Sequence, residues 1–344
     1  MAERTLFVTV AGMAFTTAPT PLPSRRLGRA GYQVTALGVG GWLGALDDPQ
    51  TSLAEREAAG IEAVRRAVAL GITYFDTSPA YGEAERFLGL GLRTLAPEER
   101  ARLRIATKAG THPERRHQYD ADSIRWSVER SQQRLFADHI DVVLVHDPRH
   151  DADMDAVMGA GGALDALEGL KAQGVIGAIG LGVRTHAFLG RAVESGRFDV
   201  ILTPYDYNLV RDSARPLIDL AATHDVGVIN GSPYAAGVLA GLDPDEAARR
   251  RKPLTPQDLV RARALWRWCG ERGVDLGAVA MQYSLRHPAI AVTLAGPRTA
   301  AEVEGNVRHA TTPLPPSLWD ELDTFLATLP PAGPGGEAVL SEGT

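Results

Sequence analysis

Four titratable side chains follow three short apolar runs. Asp76 ends the run at 72–75, Lys108 the run at 103–107 and His146 the run at 140–145, while Tyr81 follows Asp76 across Ser78-Pro79. An acid, a phenol, an ammonium and an imidazole together make a proton-transfer set. A phenol is too weak an acid for easy exchange near neutral pH, but a neighbouring ammonium stabilises the phenolate and lowers its pKa. A carboxylate behind the lysine would keep it charged and oriented, and an imidazole across the cavity could hydrogen-bond a substrate oxygen. Singly, each residue has a plainer reading: Asp76 as a helix cap, Tyr81 as packing, Lys108 as solvated. All four at successive strand ends favour the chemical reading.

The elements that must position them follow from pattern. The apolar runs are short, rich in β-branched and aromatic residues, and read as strands. Runs at 176–181, 198–202, 226–230 and 291–294 read alike, and helical periods at 55–70, 83–92, 122–136, 164–173, 258–271 and 276–285 alternate with them. Asp122 or Ser123 is the expected N-cap of the helix at 122–136. The alternation predicts an α/β fold, a (β/α)8 TIM barrel, whose strand C-termini share the face that carries chemistry. Residues 26–34, punctuated by Gly28 and Gly31, read as an N-terminal hairpin capping the barrel bottom, and 315–329 as an extra C-terminal helix. Leu37-Gly38-Val39-Gly40-Gly41-Trp42 suggests a nucleotide loop, although Leu43 stands where the third glycine of G-x-G-x-x-G would be. Residues 237–257 read as a loop that folds over a bound cofactor, and His112 and His117 as solvated histidines of a polar loop at 109–120. Trp266 and Trp268 read as packing residues.

The segment Phe75-Asp76-Thr77-Ser78-Pro79-Ala80-Tyr81-Gly82, then Thr107-Lys108, then Val143-Leu144-Val145-His146-Asp147, resembles the aldo-keto reductase family. The resemblance runs from about Leu27 to about Asn306. It implies a nicotinamide-dependent oxidoreductase on a (β/α)8 barrel, with Asp76, Tyr81, Lys108 and His146 matching the catalytic tetrad. The His146-Asp147-Pro148 wording looks most like the sugar (aldose, fucose, galactose) and pyridoxal dehydrogenases of the family, so an aldose is the expected substrate. An aldehyde or ketone reduced with NADPH is the alternative, followed by a non-catalytic binding subunit of the potassium-channel kind. By the same resemblance the cofactor contacts fall on Gly40, Gly41, Trp42, Asp76, Val183, Arg184, Ser232, Gly296, Arg298, Glu302 and Asn306. Val183 and Arg184 stand where most members carry Ser-Asn, and Gly231 where many carry a stacking aromatic. Arg184 then either brings a cation toward cofactor or substrate or turns to solvent. Members that prefer a 2′-phosphate usually carry Lys at the position of Gly296 and Arg at that of Glu302. Glu302 therefore favours NAD over NADP, while Arg298 argues for NADP.

The chain has 344 residues and a formal net charge of −6. One barrel uses about 250 residues, so one catalytic domain at 25–329 is expected, between a flexible extension at 1–24 and a disordered tail at 330–344. The acidic balance, with no basic stretch beyond Arg249-Arg250-Arg251-Lys252, carries no nucleic-acid footprint. No run is long enough to span a bilayer, so no membrane partner is expected. The apolar residues 6–15 resemble a signal peptide only loosely, with no clean cleavage site after them. A single cysteine, Cys269, excludes an intrachain disulfide framework and suits a reducing, cytoplasmic setting. His146 and His150 are separated by a helix-breaking Pro148, and no H-x-H or H-E-x-x-H pattern occurs, so no metal site is expected and a metal-dependent barrel hydrolase lacks the ligands it would need.

Overall fold

The computed structural model describes residues 21–41, 43–44, 50–250 and 254–336. Trp42 lies outside the described residues. The chain opens with β1 (Ser24–Arg26) and β2 (Gln33–Thr35), an antiparallel pair in register Ser24 to Thr35. Eight parallel strands then close into a barrel: β3 (Leu37–Val39), β4 (Tyr74–Asp76), β5 (Arg104–Ala109), β6 (Ile140–His146), β7 (Ile176–Gly182), β8 (Val200–Pro204), β9 (Gly227–Gly231) and β10 (Ile290–Ala295), with β10 pairing back onto β3. The expected TIM barrel is therefore present. Its first strand lies within the stretch whose glycines suggested only a nucleotide loop. Glycine density hides β3, because small residues are what the closing seam admits.

Helices ring the barrel: α1 (Leu53–Ala69), α2 (Ala84–Arg93), α3 (Pro97–Arg100), α4 (Ala121–Leu135), α5 (Asp151–Met158), α6 (Ala163–Ala172), α7 (His186–Ser195), α8 (Arg215–Thr223), α9 (Pro244–Arg250), α10 (Pro256–Arg272), α11 (Leu276–Arg286), α12 (Ala300–Thr311) and α13 (Ser317–Thr328). Their starts are set by side chains that take up otherwise unpaired N–H groups. Ser52 and Glu55 form a reciprocal capping box at α1, and Thr255 and Asp258 one at α10. The cap of α4 is Asp120, whose Oδ1 accepts from Ser123 N at 2.9 Å, two residues before the expected Asp122. Helix α9 occupies part of the segment read as a loop at 237–257.

The barrel interior is filled, not hollow. Tyr74, Ala106, Val142, Leu144, Ala178, Val200, Ile229 and Val292 pack together inside it, and Leu27 and Val34 of the hairpin close the bottom. Gly28, at φ +43°, lies so close to the backbone of Gly227 that a Cβ there would sit 2.1 Å from its nitrogen. Only glycine lets the hairpin seat this deep. The outer layer, between strands and helices, is a second apolar cluster containing Phe75, Phe87, Val143, Ile179, Phe198 and Ile201. Period-2 alternation thus sends Phe75 outward and Tyr74 and Asp76 inward.

At the other end of the chain, Pro330 to Gly336 do not trail away as the expected disordered tail would. Pro330 O accepts from Arg261 Nη1 at 2.6 Å, and Gly336 both donates to Asp206 Oδ2 at 2.9 Å and accepts from His186 N at 3.1 Å. Residues 337–344 lie outside the described residues. No helix among the described residues is long and apolar enough to cross a membrane.

Candidate active site

Strands β4, β5 and β6 lie side by side, so their C-terminal ends bring Asp76, Lys108 and His146 to one edge of the barrel mouth. Tyr81 reaches the same place from the loop after β4, where its N–H bonds Ser78 O at 3.0 Å. Lys108 Nζ donates to Asp76 Oδ1 at 2.5 Å and to Thr77 O at 2.7 Å, and stands 4.8 Å from the centre of the Tyr81 ring. The Tyr81 and His146 rings meet edge to face, 5.9 Å between centres. All four expected side chains are therefore assembled.

Electrostatics follow from burial. Desolvation pushes the Tyr81 phenol up to about 12, with the charges of Asp76 and Asp147 adding to the rise and Lys108 opposing it. This corrects the expectation from sequence: the ammonium does offset the shift, but burial wins, and the phenol keeps its proton at neutral pH. Burial alone would lower the Lys108 pKa; the Asp76 carboxylate overrides it and raises it. Burial pushes Asp76 upward against the same lysine. The His146 imidazole, buried, falls to about 4 and is neutral at pH 7.

Several neighbours were not legible as site residues. His146 Nδ1 lies 2.6 Å from Thr111 Oγ1 and 3.4 Å from Ser78 Oγ, and Tyr119 OH donates to His146 O at 2.8 Å. These contacts fix the ring and leave Nε2 toward the mouth, 3.4 Å from Asp147 Oδ2. Asp147 adopts φ +47°, an uncommon conformation for a side-chain-bearing residue. His112, expected in solvent, is buried against Trp126 with ring centres 4.6 Å apart. Among the described residues no group of three or more His, Cys, Asp or Glu side chains could hold a metal ion.

The remaining named positions divide into two sets. Gly40, Gly41 and Gly296 converge where β3 and β10 end: Gly40 N donates to Ala295 O at 2.9 Å, and a Cβ on Gly296 would lie 3.1 Å from Gly40 O. Next to them, at the start of α12, Glu302 accepts from Arg298 N at 2.6 Å, Nε at 3.0 Å and Nη2 at 2.7 Å. Asn306 Oδ1 accepts from Tyr234 OH at 3.0 Å, and Ser232 immediately follows β9 at φ +64°. The second set lies beyond β7. Val183 is buried there, and Arg184 is half-buried and paired rather than turned out into solvent. Its guanidinium donates to Asp206 through Nε at 3.2 Å and Nη2 at 3.0 Å. Asp206 also accepts from Arg211 Nη1 at 2.8 Å, and Arg211 continues to buried Asp258. Asp206 stands five residues before Arg211 in a loop of apolar and aromatic residues, a setting that implies a buried charge but not which partners it takes.

Comparison with known proteins agrees with this architecture. The pattern of the aldo/keto reductase family matches residues 36–327. The chain is 33% identical to L-galactose dehydrogenase of Arabidopsis thaliana, over 85% of this chain and 89% of that protein. It is 32% identical to D-threo-aldose 1-dehydrogenase of a Pseudomonas species, over 85% and 94%. It is 31% identical to pyridoxal 4-dehydrogenase of Microbacterium luteolum, over 87% and 96%. A solved structure described as an aldo-keto reductase from Pseudomonas aeruginosa superposes with a TM-score of 0.64 at 27% identity, covering 86% of this chain and 98% of that one. With the barrel, the strand-end constellation and these matches in agreement, the chain belongs to the aldo-keto reductase family, NAD(P)-dependent oxidoreductases that act on CH–OH and C=O groups.

Proposed function

We propose that the chain is an aldose dehydrogenase that oxidises a sugar at its anomeric hydroxyl. The observation that carries this reading is the contact of Lys108 with Asp76 directly beneath the Tyr81 ring. It is supported by relatives named as L-galactose and D-threo-aldose dehydrogenases. The nicotinamide, when bound, supplies the hydride acceptor. Tyr81, as phenolate, takes the proton of the hydroxyl as the carbon gives up its hydride, so the substrate loses one hydride and one proton, two electrons and two protons overall, and the Tyr81 phenol then returns its proton to solvent. Lys108 stabilises the phenolate, Asp76 orients Lys108, and His146 donates from Nε2 to the substrate oxygen while Thr111 donates to its Nδ1.

The residues fit a dinucleotide. Asp76 Oδ2 and Thr77 Oγ1 are buried without a hydrogen-bond partner, as acceptor and donor for a ribose would be. The bare backbones of Gly40, Gly41 and Gly296 beside the N-terminus of α12 suit a phosphate. Because Glu302 neutralises Arg298 and would repel a 2′-phosphate, we take NAD as the preferred form. We take the cytoplasm as the compartment, which suits the buried, unpaired Cys269.

A second reading, reduction of an aldehyde or ketone with NADPH, is favoured by the Tyr81 proton retained at neutral pH. Nicotinamide absorbance against a panel of free aldoses and a panel of aldehydes, with NAD and with NADP, separates the two. NAD reduction by an aldose that disappears in Tyr81→Phe supports the first. Turnover confined to carbonyls and NADPH overturns it.

A further inference from the structure

We propose that Glu85, with Arg134 and Thr107, forms a bracket behind the barrel wall that sets the distance between Tyr81 and Lys108, and that Glu85 and Arg134 are positioning residues for proton transfer. The proposal deepens the oxidoreductase reading and rests on it for its kinetic arm only.

Glu85 is the second residue of α2 and is wholly buried. It touches neither Tyr81 nor Lys108 through any hydrogen bond. Its Oε1 accepts from Thr107 Oγ1 at 2.7 Å, and its Oε2 lies 3.5 Å from Arg134 Nε. Thr107 immediately precedes Lys108 on β5. Because strand side chains alternate, Thr107 points outward to Glu85 while Lys108 points inward to Asp76. Arg134, near the end of α4, also donates through Nη2 to Gly82 O at 2.9 Å and to Glu83 Oε1 at 3.1 Å. Gly82 immediately follows Tyr81. A continuous path therefore runs Lys108, Thr107, Glu85, Arg134, Gly82, Tyr81, and every link lies outside the cavity.

The strand that carries Lys108 and the segment that leads to Tyr81 are also joined at Thr77, whose N–H donates to Ala106 O at 3.0 Å and whose carbonyl accepts from Lys108 Nζ at 2.7 Å, but that tie ends four residues before Tyr81. Tyr81 sits on a turn at Ser78–Gly82, where Gly82 takes φ +56°, and such a turn has no ladder of its own to fix it. Burying a carboxylate costs stability unless its contacts are good, and a well-packed apolar group is often neutral or better in its place. Burial accordingly drives the Glu85 pKa upward, with Ser131, Thr107, Arg134 and Lys108 opposing it. A fold-stabilising role would not explain why both ends of the path land on residues adjacent to the reacting pair. A register role does, because a displacement of about 1 Å in a proton-transfer pair costs on the order of a hundredfold in rate.

The test uses Thr107→Val, which keeps shape and removes the hydroxyl, and Glu85→Gln, which keeps the Thr107 acceptor and removes the attraction for Arg134. Arg134→Lys, at the accessible end, serves if the buried variants do not fold. The full-length chain is purified and three quantities are read: Tm, steady-state kinetics over pH 6–10, and the 13Cζ resonance of Tyr81, assigned by its loss in Tyr81→Phe. The expected result is a kcat lower by roughly 10–100-fold, an unchanged KM for cofactor, an alkaline displacement of the pH profile, and a moved Tyr81 resonance in protein without cofactor. Variants that lose Tm but retain kcat, pH profile and resonance overturn the bracket. If the wild-type chain turns over no substrate, the function reading fails while the resonance still decides this proposal: moved supports it, unmoved overturns it.

Discussion

Arg184 and Asp206 are joined by two parallel hydrogen bonds at the mouth of the barrel, with Asp206 wholly buried. Asp206 serves Arg184 and Arg211 at once and also receives Gly336 N. Asp206→Ala leaves two guanidinium groups facing a void. Removing one member of a buried ion network costs about 3–5 kcal/mol. Urea unfolding, read by far-UV circular dichroism, is expected to show a loss of that size. A loss under about 1 kcal/mol would mean that the arginines find water or other partners.

Tyr81→Phe removes the proton donor and leaves the ring. Because general acid–base catalysis contributes about 10²–10⁴-fold, kcat is expected to fall by that factor while cofactor affinity, followed by quenching of protein fluorescence, stays within about twofold. Retention of full turnover would remove Tyr81 from the mechanism.

The rate of oxidation is expected to rise with pH. The phenol, pushed up to about 12, must lose its proton to accept one from substrate, so the active fraction grows about tenfold per pH unit below that value. Reduction needs the protonated phenol and should stay flat from neutral pH to about 9 on the same grounds. Lys108→Met removes the positive charge that opposes burial of the phenolate, and should displace the oxidation limb further to alkaline pH. An oxidation rate independent of pH between 6 and 10 would exclude Tyr81 as the base.

His146 ties stability to pH. Its folded-state pKa of about 4 lies below the ordinary imidazole value of 6.5, so the unfolded chain binds more protons between those values. Its contribution is intact above pH 6.5 and is lost as pH falls toward 4, at up to about 1.4 kcal/mol per unit. His146→Gln should flatten that part of the Tm-against-pH curve. An equally steep curve in the variant would assign the acid lability to other groups.

Glu302→Gln should narrow the gap between NAD and NADP. The carboxylate that accepts three donations from Arg298 would be neutral, and Arg298 would be available to a 2′-phosphate. Dissociation constants for both dinucleotides, measured by calorimetry, are expected to converge by about tenfold, the scale of one surface charge contact relieved and one gained. An unchanged ratio would separate Glu302 from cofactor choice.

What could be read in advance was what is local. Asp76, Lys108 and His146 end apolar runs, and a parallel barrel leaves such residues one place to meet. Residues 37–39 escaped notice because three glycines in six positions resemble a loop, although the closing seam of a barrel wants small residues too. Asp206 was missed because its partners come from 22 residues before it, five after it and, at Gly336, 130 after it. Glu85 was legible in part: it shares the helical face of Leu88 and Leu92, and a carboxylate on an apolar stripe has to be buried. The height of the Tyr81 pKa was not legible, since burial and the lysine act in opposite directions and only coordinates show which prevails.

The hairpin seated by Gly28 against Gly227 seals the base of the packed barrel. Ligands therefore approach from the face where the strands end. The same asymmetry bears on handling. A fusion joined ahead of β1 emerges at the sealed base, whereas one joined behind Gly336 emerges beside His186 and Asp206, on the doorstep. An affinity handle belongs at the front of this chain.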